Sequence, residues 1–116
     1  MNIENLQNIC KKLPAVTEDI KWDVHLCFNV GEKMFLITSP DEVPVNASFK
    51  TSDDDFEKLS ARPGFSPAPY LARHKWVRVD DISRISDKEW ERLLKSAYGL
   101  IAGKLPAGVK KKIGLV

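Results

Sequence analysis

Apolar residues recur at helical spacing at the start of the chain, where Ile3, Leu6, Ile9, Cys10 and Leu13 follow Asn2 and Pro14 stops the run. Asn2 is a good N-cap, so this pattern predicts a first amphipathic helix. From Asp19 the period changes to two. Ile20/Trp22, Leu26/Phe28/Val30, Phe35/Ile37 and Val45/Ala47/Phe49 each form an alternating set, and four antiparallel strands are the natural reading. Gly31-Glu32 suits a two-residue type II′ loop, which would set Val30 opposite Lys33, Phe28 opposite Phe35 and Leu26 opposite Ile37. The large apolar side chains then share one face.

Ser52 followed by Asp53, Asp54 and Asp55 makes a capped helix start, with carboxylates at the positive end of the helix dipole and Phe56 and Leu59 as buried contacts. Arg62-Pro63-Gly64 ends that helix, the Pro67/Pro69 segment runs extended, and Lys75 to Val79 reads as a fifth strand. Ser86-Asp87-Lys88-Glu89 is a capping box, with Ile85 and Trp90 placed for a hydrophobic staple. Trp90, Leu93, Leu94, Ala97, Tyr98 and Ile101 form the apolar stripe of a last helix, which Gly103 and Pro106 close. The expected fold class is therefore α+β: a two-layer domain over residues 1–106 in the order α-β-β-β-β-α-β-α. Its five-stranded antiparallel sheet carries helices on one face, and a basic tail follows over 107–116.

The run from Gly64 through Pro67, Pro69 and Tyr70 to Arg73-His74-Lys75-Trp76-Val77-Arg78-Val79 has a strong local character. Together with Glu18-Asp19-Ile20-Lys21-Trp22 and Val30-Gly31-Glu32-Lys33-Met34-Phe35, it resembles the MmcQ/YjbR family of small bacterial proteins. The resemblance implies a fold like that of the frataxin/CyaY group and a DNA-binding role of the double-wing kind. One departure is Gly31-Glu32-Lys33, where family members often have Gly-Gly-Lys.

Charge is spread unevenly. The formal net charge is only +2, yet residues 1–60 hold six Lys/Arg against eleven Asp/Glu, and residues 61–116 hold twelve against five. Such asymmetry suits a surface for nucleic acid or another acidic partner, although dedicated DNA-binding domains usually have a pI above about 9. Two cysteines, Cys10 and Cys27, are too few for a disulfide framework. Neither a leader nor a long apolar run stands out, so a cytoplasmic monomer away from membranes is expected.

With the large apolar residues facing the helices, the period of two sends Lys21, His25, Cys27, Asn29, Met34, Leu36, Asn46, Ser48 and Lys50 to the open face, joined by His74, Trp76 and Arg78 from the fifth strand. Cations reach phosphates, amides read base edges and an exposed aromatic stacks on a base. Lys21, Lys33, Lys50, Arg73, His74, Trp76 and Arg78 are the candidate DNA-binding residues. Each also has an ordinary reading, the cations as solvated surface and Trp76 as packing beneath the Pro67–Tyr70 segment. An alternative use of this face is a protein or small-ligand groove built on Tyr70, Trp76, Met34 and Leu36.

Catalysis finds little support, so a non-enzyme without metal or other cofactor is expected. His25, Cys27 and His74 lack any CxxC or HExxH spacing, and no Gly-rich phosphate loop or Gly-x-Ser-x-Gly elbow occurs. Helix capping accounts for Asp53–Asp55 better than a frataxin-like acidic metal ridge does.

Overall fold

The computed structural model describes residues 1–115. Its elements are α1 (Ile3–Lys11), β1 (Val16–Lys21), β2 (His25–Val30), β3 (Lys33–Ser39), β4 (Asn46–Lys50), α2 (Asp53–Ser60), β5 (Phe65–Pro67), β6 (Trp76–Val79), α3 (Asp87–Ala102) and α4 (Ala107–Lys112), with single 3₁₀ turns at Ala72–His74 and Ile82–Arg84. The strands form one antiparallel sheet in the order β1-β2-β3-β4-β6-β5. The sheet has six strands rather than five. β5 is three residues long, ends on Pro67 and pairs with β6 alone. A proline is tolerated there because only an edge strand leaves a backbone N–H unused, and three residues are too few for an alternation to be read.

Helix α3 lies across β2, β3 and β4, α2 packs on β5 and β6, and α1 packs on α3. Trp90 is the centre of the resulting core. It is fully buried, its ring stands 5.3 Å from that of Phe49, and its Nε1–H donates to the Ile82 carbonyl at 2.9 Å. Tyr98 closes the other end of α3, with its ring edge-on to Phe35 and its hydroxyl donating to the Pro14 carbonyl at 2.6 Å.

The β2–β3 hairpin departs from the expected register. Val30 does face Lys33, but Phe28 pairs with Leu36, and Leu26 with Thr38, because Phe35 is an extra residue between the Asn29–Met34 and Phe28–Leu36 pairs. This is a β-bulge, which bends the strand and breaks its alternation. Phe35 and Leu36 are both fully buried in the core, while Ile37 moves to the open face. The turn is also of the other primed kind: Gly31 and Glu32 both have positive φ, 56° and 67°, as a type I′ loop requires. Gly31 lies against Leu105, so closely that a side chain there would collide with it. Leu105 is buried, and Val109, Ile113 and Leu115 pack beside it, so α4 and the residues after it carry the tail lysines on a segment docked to the core.

Helices α2 and α3 start on serine caps: Asp55 N–H donates to Ser52 Oγ, and Glu89 N–H to Ser86 Oγ. The Glu89 carboxylate does not complete the capping box but takes both guanidinium nitrogens of Arg62, at 2.8 and 2.9 Å. Hydrogen bonding to Arg62 first, and the charge of Arg62 next, hold the Glu89 carboxyl below its ordinary 4.5. A lowered carboxyl pKa contributes stability that is present above the unfolded value and lost as pH falls through the folded one. Glu89→Gln is therefore expected to cost about 0.2–1 kcal/mol near neutrality, and urea midpoints of the two proteins should converge as pH is lowered below about 4.5.

Candidate functional site

The face that the helices leave open carries a transverse row from Cys27 through Ile37, Ser48 and Arg78 to Ser66, fixed by successive strand pairs. Over the centre of this face lies a cleft of about 470 Å³. Ile37, Asn46 and Ser48 form its floor, and Ala68–Leu71 supply one wall. Lys21, Trp22 and His25 close the side formed by the β1–β2 hairpin, and Arg78 enters from β6. His25 Nδ1 is 3.1 Å from Ser39 Oγ, and the Trp22 ring meets the imidazole edge-on at 5.8 Å.

Two local turns set the walls. On one side Val24 N–H bonds to the Lys21 carbonyl, and the turn's central residues, Trp22 and Asp23, have φ of 54° and 60°. On the other, Leu71 N–H bonds to the Ala68 carbonyl across Pro69 and Tyr70, and Tyr70 has φ of 66°. That is the pattern of a type II turn, with proline at its second position and a left-handed residue at its third. Glycine or asparagine would take either left-handed place with less strain. Trp22 and Tyr70 take them while remaining 77% and 99% exposed.

A second cleft of about 540 Å³ adjoins the first, sharing Met34 and Leu71. Lys33, Lys50, His74 and Trp76 line it, and Lys104 reaches it from beyond the end of α3. Burial lowers the pKa of the Lys50 ammonium, with the charge of Lys104 acting in the same direction, and Lys50 donates to the His74 carbonyl. Neither cleft is lined by a carboxylate, in a chain with 16 Asp and Glu.

The candidate residues thus divide. Lys21 and Arg78 meet at the first cleft, and Lys33, Lys50, His74 and Trp76 at the second. Arg73 lines neither, its Nε donating to His74 Nε2 at 3.3 Å. Trp76 is only 5% exposed, so it packs rather than stacking on a ligand. Leu36, assigned to an alternative open-face groove, belongs to the core instead. Trp22, read from the alternation as a core residue, stands on the cleft rim, and Lys104 was outside the reach of any strand pattern. His25 and His74 line different clefts, Cys27 is fully buried, and no group of three or more potential metal ligands forms among the described residues.

A family model, YjbR, matches residues 11–100. The chain belongs to the YjbR family. A crystal structure of the Deinococcus radiodurans protein DR2400, described as a DUF419 domain, is similar at 26% identity and a TM-score of 0.86 over 99% of this chain and 89% of that one. A Pseudomonas syringae protein shares the fold at 18% identity, with a TM-score of 0.70 over 86% of this chain and 98% of that one. No curated protein matches. The first cleft lies on the uncovered side of the sheet, and the second at the sheet's end, where Lys33, Lys50 and Trp76 meet Ile101 of α3 and Lys104–Pro106 after it. No helix among the described residues is long and apolar enough to cross a membrane.

Proposed function

We propose that this YjbR protein binds nucleic acid along the open face of its sheet and performs no catalysis. The observation that carries this reading is the charge of the two adjoining clefts: Lys21 and Arg78 in one and Lys33, Lys50 and Lys104 in the other, with no carboxylate lining either. Cations gathered along a concave track follow a phosphate backbone and release its counterions. The excess of cations over carboxylates in residues 61–116 and the DNA-binding role implied by the family resemblance favour the same reading. Asn46 and Ser48 on the floor add amide and hydroxyl groups that can meet base edges.

The test is fluorescence anisotropy with labelled DNA at several salt concentrations. If about four phosphates are neutralised, log K should fall against log salt with a slope of about −3 to −4, from a dissociation constant on the order of 10⁻⁴ to 10⁻⁶ M. Lys33→Glu with Arg78→Glu reverses one cation in each cleft and should abolish binding with the circular dichroism spectrum unchanged. Lys110→Glu with Lys111→Glu on α4 is the control and should bind as the parent does. Loss of binding only in the α4 variant, or no binding at low salt, would overturn the open-face reading. A salt-insensitive ligand in the same clefts would instead make the face a protein or small-molecule site.

A further inference from the structure

We infer that the first cleft takes a single unpaired base, held between Trp22 and Tyr70 with its phosphates on Lys21 and Arg78, so that the protein prefers single strands to duplex; the inference rests on the nucleic-acid reading above. Trp22 and Tyr70 are the two largest side chains on the rim, both are exposed, and both sit in left-handed turn positions that suit smaller residues. Apart from the edge-on contact of Trp22 with His25, the two rings stand largely free of the fold's packing. Backbone strain retained at two exposed aromatic residues that line one cleft is the observation from which a binding role is inferred.

The shape of the cleft selects the ligand. About 470 Å³ lies within the range of about 300–1,000 Å³ typical of small-ligand sites. A base presents two flat faces to aromatic side chains only when it is out of the stack, because in a duplex both faces are already covered. The neighbouring cleft, with Lys33, Lys50 and Lys104, continues the cationic track for the next phosphates of the strand.

Three probes separate the terms: a labelled oligothymidine strand, an abasic strand of equal length with the same phosphates, and a duplex of that length. Stacking on one aromatic side chain contributes about tenfold in affinity, so the thymidine strand should bind at least about tenfold more tightly than either of the others. Trp22→Gly and Tyr70→Gly should each lower thymidine-strand affinity about tenfold while leaving abasic-strand affinity and the salt slope unchanged. Because glycine relieves the left-handed strain, both variants should melt at or above the parent's temperature. Trp76 and Trp90 are buried, so quenching of intrinsic fluorescence by the thymidine strand should disappear in Trp22→Phe. Equal affinity for thymidine and abasic strands, or for duplex, would overturn the base site while leaving electrostatic binding standing. Glycine variants that lose thermal stability but keep the thymidine preference would assign the two rings a structural role instead. No binding of any probe would overturn both readings.

Discussion

Leu36→Asp is expected to leave the chain largely unfolded, whereas Ile37→Asp should fold normally. The two positions are adjacent in β3, and only the bulge at Phe35 decides which faces the helices. Leu36 is fully buried, paired with Phe28 on one side and Phe49 on the other. Removing such a leucine costs about 2–5 kcal/mol, and an unpaired carboxylate in its place adds a further desolvation penalty of several kcal/mol. The sum approaches or exceeds the roughly 5–15 kcal/mol that holds a domain together. Ile37 is half-buried on the cleft floor, so its carboxylate would reach water, at a cost of about 1 kcal/mol from lost strand propensity. Urea unfolding followed by circular dichroism distinguishes the two. The reverse result, with Ile37→Asp unfolded and Leu36→Asp folded, would mean that the strand alternates without a bulge.

Trp90→Ala should cost about 3–5 kcal/mol. Its ring fills the space between α3 and Phe49, and its N–H is the partner of the buried Ile82 carbonyl. Trp90→Phe refills most of the volume but leaves that carbonyl only its longer bond from the Ile85 N–H at 3.4 Å, which costs about 0.5–1.5 kcal/mol. The two variants together therefore separate packing from hydrogen bonding. A loss below about 1 kcal/mol for Trp90→Ala would show that α3 is held elsewhere.

Elements with a complete local signal are legible in the sequence. Ser86, Glu89, Ile85 and Trp90 mark the start of α3, and its stripe from Trp90 to Ile101 gives the buried face. The strand set from Leu26 to Phe49 was equally plain, and so was the open side of the sheet. The bulge was not, because Phe35, Leu36 and Ile37 are all apolar and any alternation fits them. Trp22 misled for a related reason: two residues after Ile20 it continues a period of two, while its turn conformation is one for which tryptophan gives no signal. Ile20 is on the core side of β1, paired with Leu26, yet lies 62% exposed at the hairpin's end, beyond the helices. Lys104 enters its cleft through the tertiary path of the chain after α3, and no periodicity encodes such an approach.

The insertion of β6 between β4 and β5 bears on the order in which the molecule assembles. Strands β1 to β4 are successive neighbours and close only short loops, but β6 must return across α2 and β5 to reach β4. Pairings distant in sequence carry the larger loop-closure entropy and form late. The meander of residues 16–50 contributes the cleft floor and the Trp22 rim, while Tyr70 and Arg78 arrive with the later strands. A partly folded chain therefore has half of the first cleft, and the recognition proposed above would become available only when the last edge of the sheet has docked. The same division sets how a ligand spanning both halves would act on the native state: it would suppress the opening of the β5–β6 edge and slow hydrogen exchange of the amides there before it altered those of β2 and β3.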